Sequence, residues 1–162
     1  KAALDDAPEL IAFVEAVAGE SDNLTFGPGE FGLSLAQEEE YLKNLSGSEN
    51  QIYLVGLVEG EIVASITFVG GKRTRTRHTG EFGISVRKAF WDLGVGGAMI
   101  EALLDWARAA GFIQKISLRV RTDNERAIAL YKKKGFEIEG ILRGEFKIDG
   151  RLYDLYAMSR FI

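Results

Sequence analysis

Val86-Arg87-Lys88-Ala89-Phe90-Trp91-Asp92-Leu93-Gly94-Val95-Gly96-Gly97-Ala98-Met99 is the stretch on which the reading of this chain turns. Just upstream, Glu81 to Val86 alternates, with Phe82, Ile84 and Val86 on one face, as a strand does. Downstream, Gly94 to Ala110 is amphipathic at helical spacing, with Val95, Met99, Ala102, Leu103, Trp106 and Ala110 as its expected buried stripe and Gly111 as its stop. A strand therefore ends, a short loop follows, and a glycine-rich turn opens a long helix. The free N–H groups of a first helical turn, with the positive end of the dipole, suit an anion, and absent side chains let a phosphate reach the backbone. Tight packing alone would also call for glycine here. Two familiar phosphate motifs are excluded. Met99 stands where the dinucleotide fingerprint needs its third glycine, and Gly71-Lys72-Arg73 is neither a P-loop nor the start of a helix.

Leu4 to Gly19 reads as a helix with Pro8 in its first turn, Glu20 to Ser34 as a long loop, and Leu35 to about Asn44 as a second helix. Gln51 to Val58 and Glu61 to Gly70 are β-branched runs joined by Glu59-Gly60, a hairpin signal. Lys72 to Thr79 is basic and suits a strand end or a loop; as a strand it would set Arg73, Arg75 and Arg77 on one face. Ile116, Leu118 and Val120 mark another strand, and Asn124 to Lys134 a short helix stopped by Gly135. A final hairpin, Phe136 to Ile162, turns at Asp149-Gly150. The order predicts a mixed α/β (α+β) chain in which residues 1–162 form one domain.

Composition narrows the chemistry. The chain has 162 residues, no cysteine and one histidine, His78, which excludes disulfides, thiolate metal sites and a cysteine nucleophile, and predicts no metal. No apolar run is long enough to span a membrane and nothing at the start resembles a secretory signal, so a cytoplasmic protein that meets no membrane is expected. Nucleic acid is not expected either, because the arginine run lacks aromatic partners and the net charge is -4. That charge is uneven: residues 1–50 carry -9 and the remainder +5.

Two constellations together carry a family resemblance. Gly94-Val95-Gly96 resembles the glycine part of the Gln/Arg-x-x-Gly-x-Gly/Ala motif of the GNAT superfamily of acyl-CoA N-acyltransferases, with Trp91 standing where Gln or Arg would lead. Downstream, Asn124-x-x-Ala127-x-x-x-Tyr131-x-x-x-Gly135-Phe136 is similar to the family's stretch after its fifth strand. Asn124, Ala127 and Tyr131 lie along one helix face; the same residues would also serve as a cap, a packing residue and a core-edge aromatic. The likeness covers nearly the whole chain, with the family's first strand missing or reduced to Lys1 to Ala3.

The resemblance implies a mostly antiparallel central sheet with a parallel, splayed strand pair, flanked by helices. It implies acetyl-CoA as co-substrate, held by backbone groups of Ile84, Ser85 and Val86 at the pantetheine and by Leu93, Gly94, Val95, Gly96, Gly97 and Ala98 at the pyrophosphate. Asn124, Ala127 and Tyr131 would lie along the arm, with Arg87 and Lys88 as outer phosphate contacts or solvated loop charges. Reaction would be direct attack of an amine on the thioester, with Tyr131 as acid. Glu81 is the expected base, or a structural group if its opposite strand parity turns it away; His78 is a weaker alternative. The acceptor is expected to be a small amine or a protein N-terminal amine, and the protein a monomer or homodimer. A catalytically silent acyl-CoA-binding module is the alternative. The first two helices, the loop after them and the closing hairpin should set acceptor specificity. There Asp22, Glu30 and Glu38 to Glu40 would draw in a cation, or Glu38 to Glu40 would merely form a wet helix face, and Phe26, Phe31 and Tyr41 would line a pocket or fill core.

Overall fold

The computed structural model describes all 162 residues. β1 (Gln51–Val58) and β2 (Glu61–Gly70) pair antiparallel, and Glu59 and Gly60 both take positive φ, 52° and 90°, as a two-residue hairpin turn requires. β3 (Thr79–Val86) adds to β2 antiparallel. After the turn comes α3 (Val95–Ala110), which returns the chain to β4 (Lys115–Arg121), parallel to β3. α4 (Glu125–Lys133) leads into the closing hairpin of β5 (Glu137–Ile148) and β6 (Arg151–Phe161). The result is a six-stranded sheet in the order β1-β2-β3-β4-β6-β5, mixed but antiparallel except at β3–β4.

Strand alternation divides two cores between the faces of this sheet. Ile52, Ala64, Ile66, Phe68, Phe82, Ile116 and Met158 pack against α3 and α4. Tyr53 and Val55, the alternate residues of β1, pack with α1 (Ala7–Ala18) and α2 (Leu35–Ser46). Ser34 caps α2 in a capping box with Gln37.

Several expectations need adjustment. The first helix is interrupted: Leu4–Asp6 is a 3-10 turn, and α1 begins at Ala7 with Pro8 in its opening turn. The buried stripe of α3 centres on Met99, Ile100, Leu103, Leu104 and Ala107, while Ala102 is exposed, because the helix packs about one position round from the stripe read off its sequence. Residues 72–78 form turns, so Arg73, Arg75 and Arg77 share no strand face. At the N-terminus no strand forms, although the Ala2 N–H donates to the Tyr53 carbonyl at 2.8 Å along the outer edge of β1. No helix is long and apolar enough to cross a membrane.

Gly80 lies where β3 runs between β2 and β4, and a Cβ there would sit 2.4 Å from the Phe68 ring and 2.5 Å from the Val69 carbonyl oxygen. Gly80→Ala should therefore lower unfolding free energy by about 1–3 kcal/mol in a denaturant titration. Gly140→Ala, whose Cβ meets nothing within 4 Å, serves as the control and should cost less than about 0.5 kcal/mol.

Candidate active site

β3 and β4 pair only through Thr79–Lys115, Gly80–Ile116 and Glu81–Ser117. Beyond Glu81 they part, β3 staying with β2 as far as Val86 and β4 staying with β6 as far as Arg121. The Arg87 N–H donates to the Val63 carbonyl at 2.9 Å, which fixes Arg87, Ser85 and Gly83 as the residues whose backbone groups turn toward β2. Gly80, Phe82, Ile84 and Val86 therefore aim theirs toward β4; the Glu81–Ser117 pair uses the Phe82 N–H, and beyond it Ile84 and Val86 face the gap as an unpaired edge that an extended chain can complete. The Val86 carbonyl is already taken by the Trp91 indole N–H at 2.7 Å. Ser85, expected beside its neighbours, spends its backbone on Ser65 of β2 and turns its side chain to the α1–α2 face.

The gap ends at the glycine turn. Gly94 is the N-cap of α3 with φ 85°, a conformation that strongly favours glycine, and its carbonyl accepts from the Ala98 N–H at 3.0 Å. Ala98 thus has no free amide, which limits the cradle of unbonded donors to Val95, Gly96 and Gly97. A Cβ on Gly96 would press on Leu130 of α4 at 3.3 Å, so glycine brings the two helices close. Leu93, 69% exposed, projects into solvent from the turn.

Cations gather here that the sequence did not single out. The Arg126 guanidinium stacks 3.8 Å over the Trp91 ring and lies 3.6 Å from Asp92 Oδ2; Lys133 and Lys134 line the same cleft, Lys134 paired with Glu101 at 2.9 Å. Their signal was the face of α4 that Leu130 turns toward Gly96 and Gly97. Arg87 is instead committed to Glu20, its Nε 2.9 Å from Oε1; Oε2 of the same carboxylate accepts the Lys88 backbone N–H at 2.6 Å, while the Lys88 ammonium forms no ion pair.

Tyr131 is buried in an aromatic triangle with Phe82 and Phe136, ring centroids 5.6–6.1 Å apart. Burial pushes its phenol up to about 12, so the hydroxyl remains a proton donor at neutral pH. Asn124 caps α4, its Oδ1 accepting from the Ala127 N–H at 3.2 Å, which leaves its amide NH2 free. Ala127 packs against the α3–α4 core on the same helix face.

Glu81 projects to the other side of the sheet, where Arg119 Nε approaches its Oε2 at 3.3 Å. It therefore lies across the sheet from Tyr131. His78 precedes β3, and its carbonyl accepts the Gln114 and Lys115 N–H groups. Phe26, Phe31 and Tyr41 both line the cleft and pack on the α1–α2 core. Glu38 breaks the pattern of the acidic run: it is 1% exposed and its Oε2 has no hydrogen-bond partner. Burial raises its carboxyl above the ordinary value, and its charge in turn adds to the upward shift of Tyr41 and Tyr53. The spacing Glu38, Leu42, Leu45 was the readable sign, for it places Glu38 on the apolar stripe of α2. The continuous cleft, about 1860 Å³, has room for two ligands at once.

The chain is similar to known proteins throughout. A crystal structure described as the acetyltransferase of GNAT family from Streptococcus pneumoniae superposes with TM-score 0.97 at 33% identity, over 100% of this chain and 97% of that one. L-amino acid N-acetyltransferase AaaT of Escherichia coli is 37% identical over 111 residues, 66% of each protein. N-alpha-acetyltransferase RimI of Mycobacterium tuberculosis is 38% identical over 77 residues, 48% of this chain and 45% of that protein. The match thus spans about two-thirds of the first curated relative and less than half of the second. The family profile itself matches residues 20–136, most of the chain and both motif helices, and with the split sheet and glycine turn in place the chain belongs to the acetyltransferase (GNAT) family.

Proposed function

We propose that this protein is an acetyl-CoA-dependent N-acetyltransferase acting on a primary amine, either a small molecule or a protein N-terminus. The observation that carries the reading is the gap between β3 and β4, with the Ile84 backbone groups and the Val86 N–H unpaired along it, free amides at one end and Tyr131 beside it. The residues present fit the co-substrate. The Ile84 amides would pair with a pantetheine arm, the donors of Val95, Gly96 and Gly97 would receive a pyrophosphate, and Arg126 and Lys133 would add charge beside it. When bound, acetyl-CoA supplies a thioester whose acyl carbon accepts the amine nitrogen while the C–S bond breaks.

The chain's own residues then have distinct tasks. Tyr131 offers its proton to the departing sulfur, and its high pKa keeps that proton in place until it is needed. The attacking ammonium must first lose a proton. Glu81 lies across the sheet from Tyr131, on the face that Ser65 and Ser85 share, and would take that proton directly or through water while Arg119 orients it. The acceptor enters from the α1–α2 side, where the excess acidity of residues 1–50 favours a cation.

Acetyl-CoA at about a hundred times its Kd should stabilise the fold by about 2.7 kcal/mol, seen as a rise in Tm. Thiol detection across an amine panel should then show CoA release. Absence of both effects would overturn the reading; a Tm rise with no turnover would leave a silent acyl-CoA-binding module.

Tyr131→Phe should lower kcat by about 10²-fold with little change in Tm. Because the phenol is held near 12, wild-type kcat should show no Tyr131-dependent fall between about pH 8 and about pH 10. A fall that disappears in Tyr131→Phe would contradict the assignment.

A further inference from the structure

The buried stripe of α2 holds a carboxylate that the fold leaves without a partner. Glu38 forms no ion pair, its Oε2 is sealed from solvent without a donor, and the residue lines the acceptor side of the cleft. A lone buried carboxylate costs several kcal/mol unless something compensates it. The arginines on the same face are already matched: Arg119 lies 3.3 Å from Glu81 and 4.0 Å from Glu145, and Arg121 pairs with Asp123 at 2.7 Å. Asp22 and Glu30 also line the cleft, and with Glu38 they outnumber Lys147, a lysine of the same lining that forms no ion pair.

The surroundings of Glu38 suit an ammonium. Tyr41 and Tyr53 adjoin it, their rings edge to face at 6.2 Å, and Ser65 stands next to the Tyr53 hydroxyl. Hydroxyl oxygens and ring faces complete the coordination of a cation whose charge the carboxylate balances. Register also separates this position from the reacting centre. Tyr53 faces Thr67, which faces Gly83, and Ser65 faces Ser85. Tyr53, which adjoins Glu38, thus sits on β1 two strand spacings, roughly 10 Å, from β3 and on the same face of the sheet as Ser65 and Ser85.

Resting on the transferase reading above, we propose that the acceptor carries a second cationic group and that Glu38 holds it, which makes the preferred substrates compact dications such as short diamines. The amine at one end is acetylated at the gap while the other end neutralises Glu38. Glu38 is then a specificity residue rather than a base.

The test compares putrescine and cadaverine with n-butylamine and n-pentylamine, and with L-methionine as a carboxylate-bearing amine, by CoA release from the full chain. Wild type should favour a diamine over the monoamine of equal length by about tenfold or more in kcat/KM. Glu38→Gln should erase that preference through KM, leave kcat and the monoamines within about twofold, and keep or raise Tm because an uncompensated charge is gone. Should Glu38→Gln not fold, the wild-type preference and its weakening in Glu38→Asp decide. Equal use of monoamines and diamines, a preference for methionine, or a kcat loss shared by every amine in Glu38→Gln would overturn the inference while leaving the transferase reading intact. Silence of the whole panel without a Tm rise from acetyl-CoA would overturn both.

Discussion

Backbone hydrogen bonding left unfinished between β3 and β4 is the constraint on which the site depends. A buried strand edge is costly, and most sheets avoid it by pairing, covering or charging the edge. Here three residue pairs join the two strands and then pairing stops, with each strand held to its outer neighbour. The aromatic triangle of Phe82, Tyr131 and Phe136 supports the sheet where the strands separate. The edge thereby remains open without collapse of the core beneath it.

From that opening the rest of the architecture follows. The chain leaves β3 at the mouth of the gap and turns through Gly94 into α3, so the free amides of the helix sit in line with the unpaired edge. α4 starts beyond the end of β4 and brings Asn124, Ala127 and Tyr131 along the same side. The opposite face of the sheet stays available for a second molecule, and it is walled by α1, α2 and the loop between them. One sheet, parted at one place, thus presents two separate faces to the cleft, one walled by α3 and α4 and the other by α1 and α2.

The backbone-determined half of the site was legible in the sequence. Glycines at 94, 96 and 97 between an alternating run and an amphipathic one indicated a strand, a tight turn and a helix, because φ preference and side-chain period are local properties. Ile84, Val86, Asn124 and Tyr131 fell where their spacing put them. Side-chain partnerships across the chain were not legible. Arg87 pairs with Glu20, 67 positions away, and Glu81 with Arg119, because folding brings distant segments together and periodicity carries no record of it.

The acidic N-terminal third shows the same boundary most clearly. Its charge of -9 was countable from the residues alone, and so was the helix spanning Glu38 to Glu40. Sequence by itself determined the main strands and helices, their order and the glycine turn that opens α3, since each rests on contacts within a few positions. Tertiary structure decided which charges matter: Glu40 remains in water, whereas Glu38 is pressed between α2 and the Tyr53 strand with no partner. The physical reason is desolvation, which depends on what folds over a side chain and not on its neighbours along the chain.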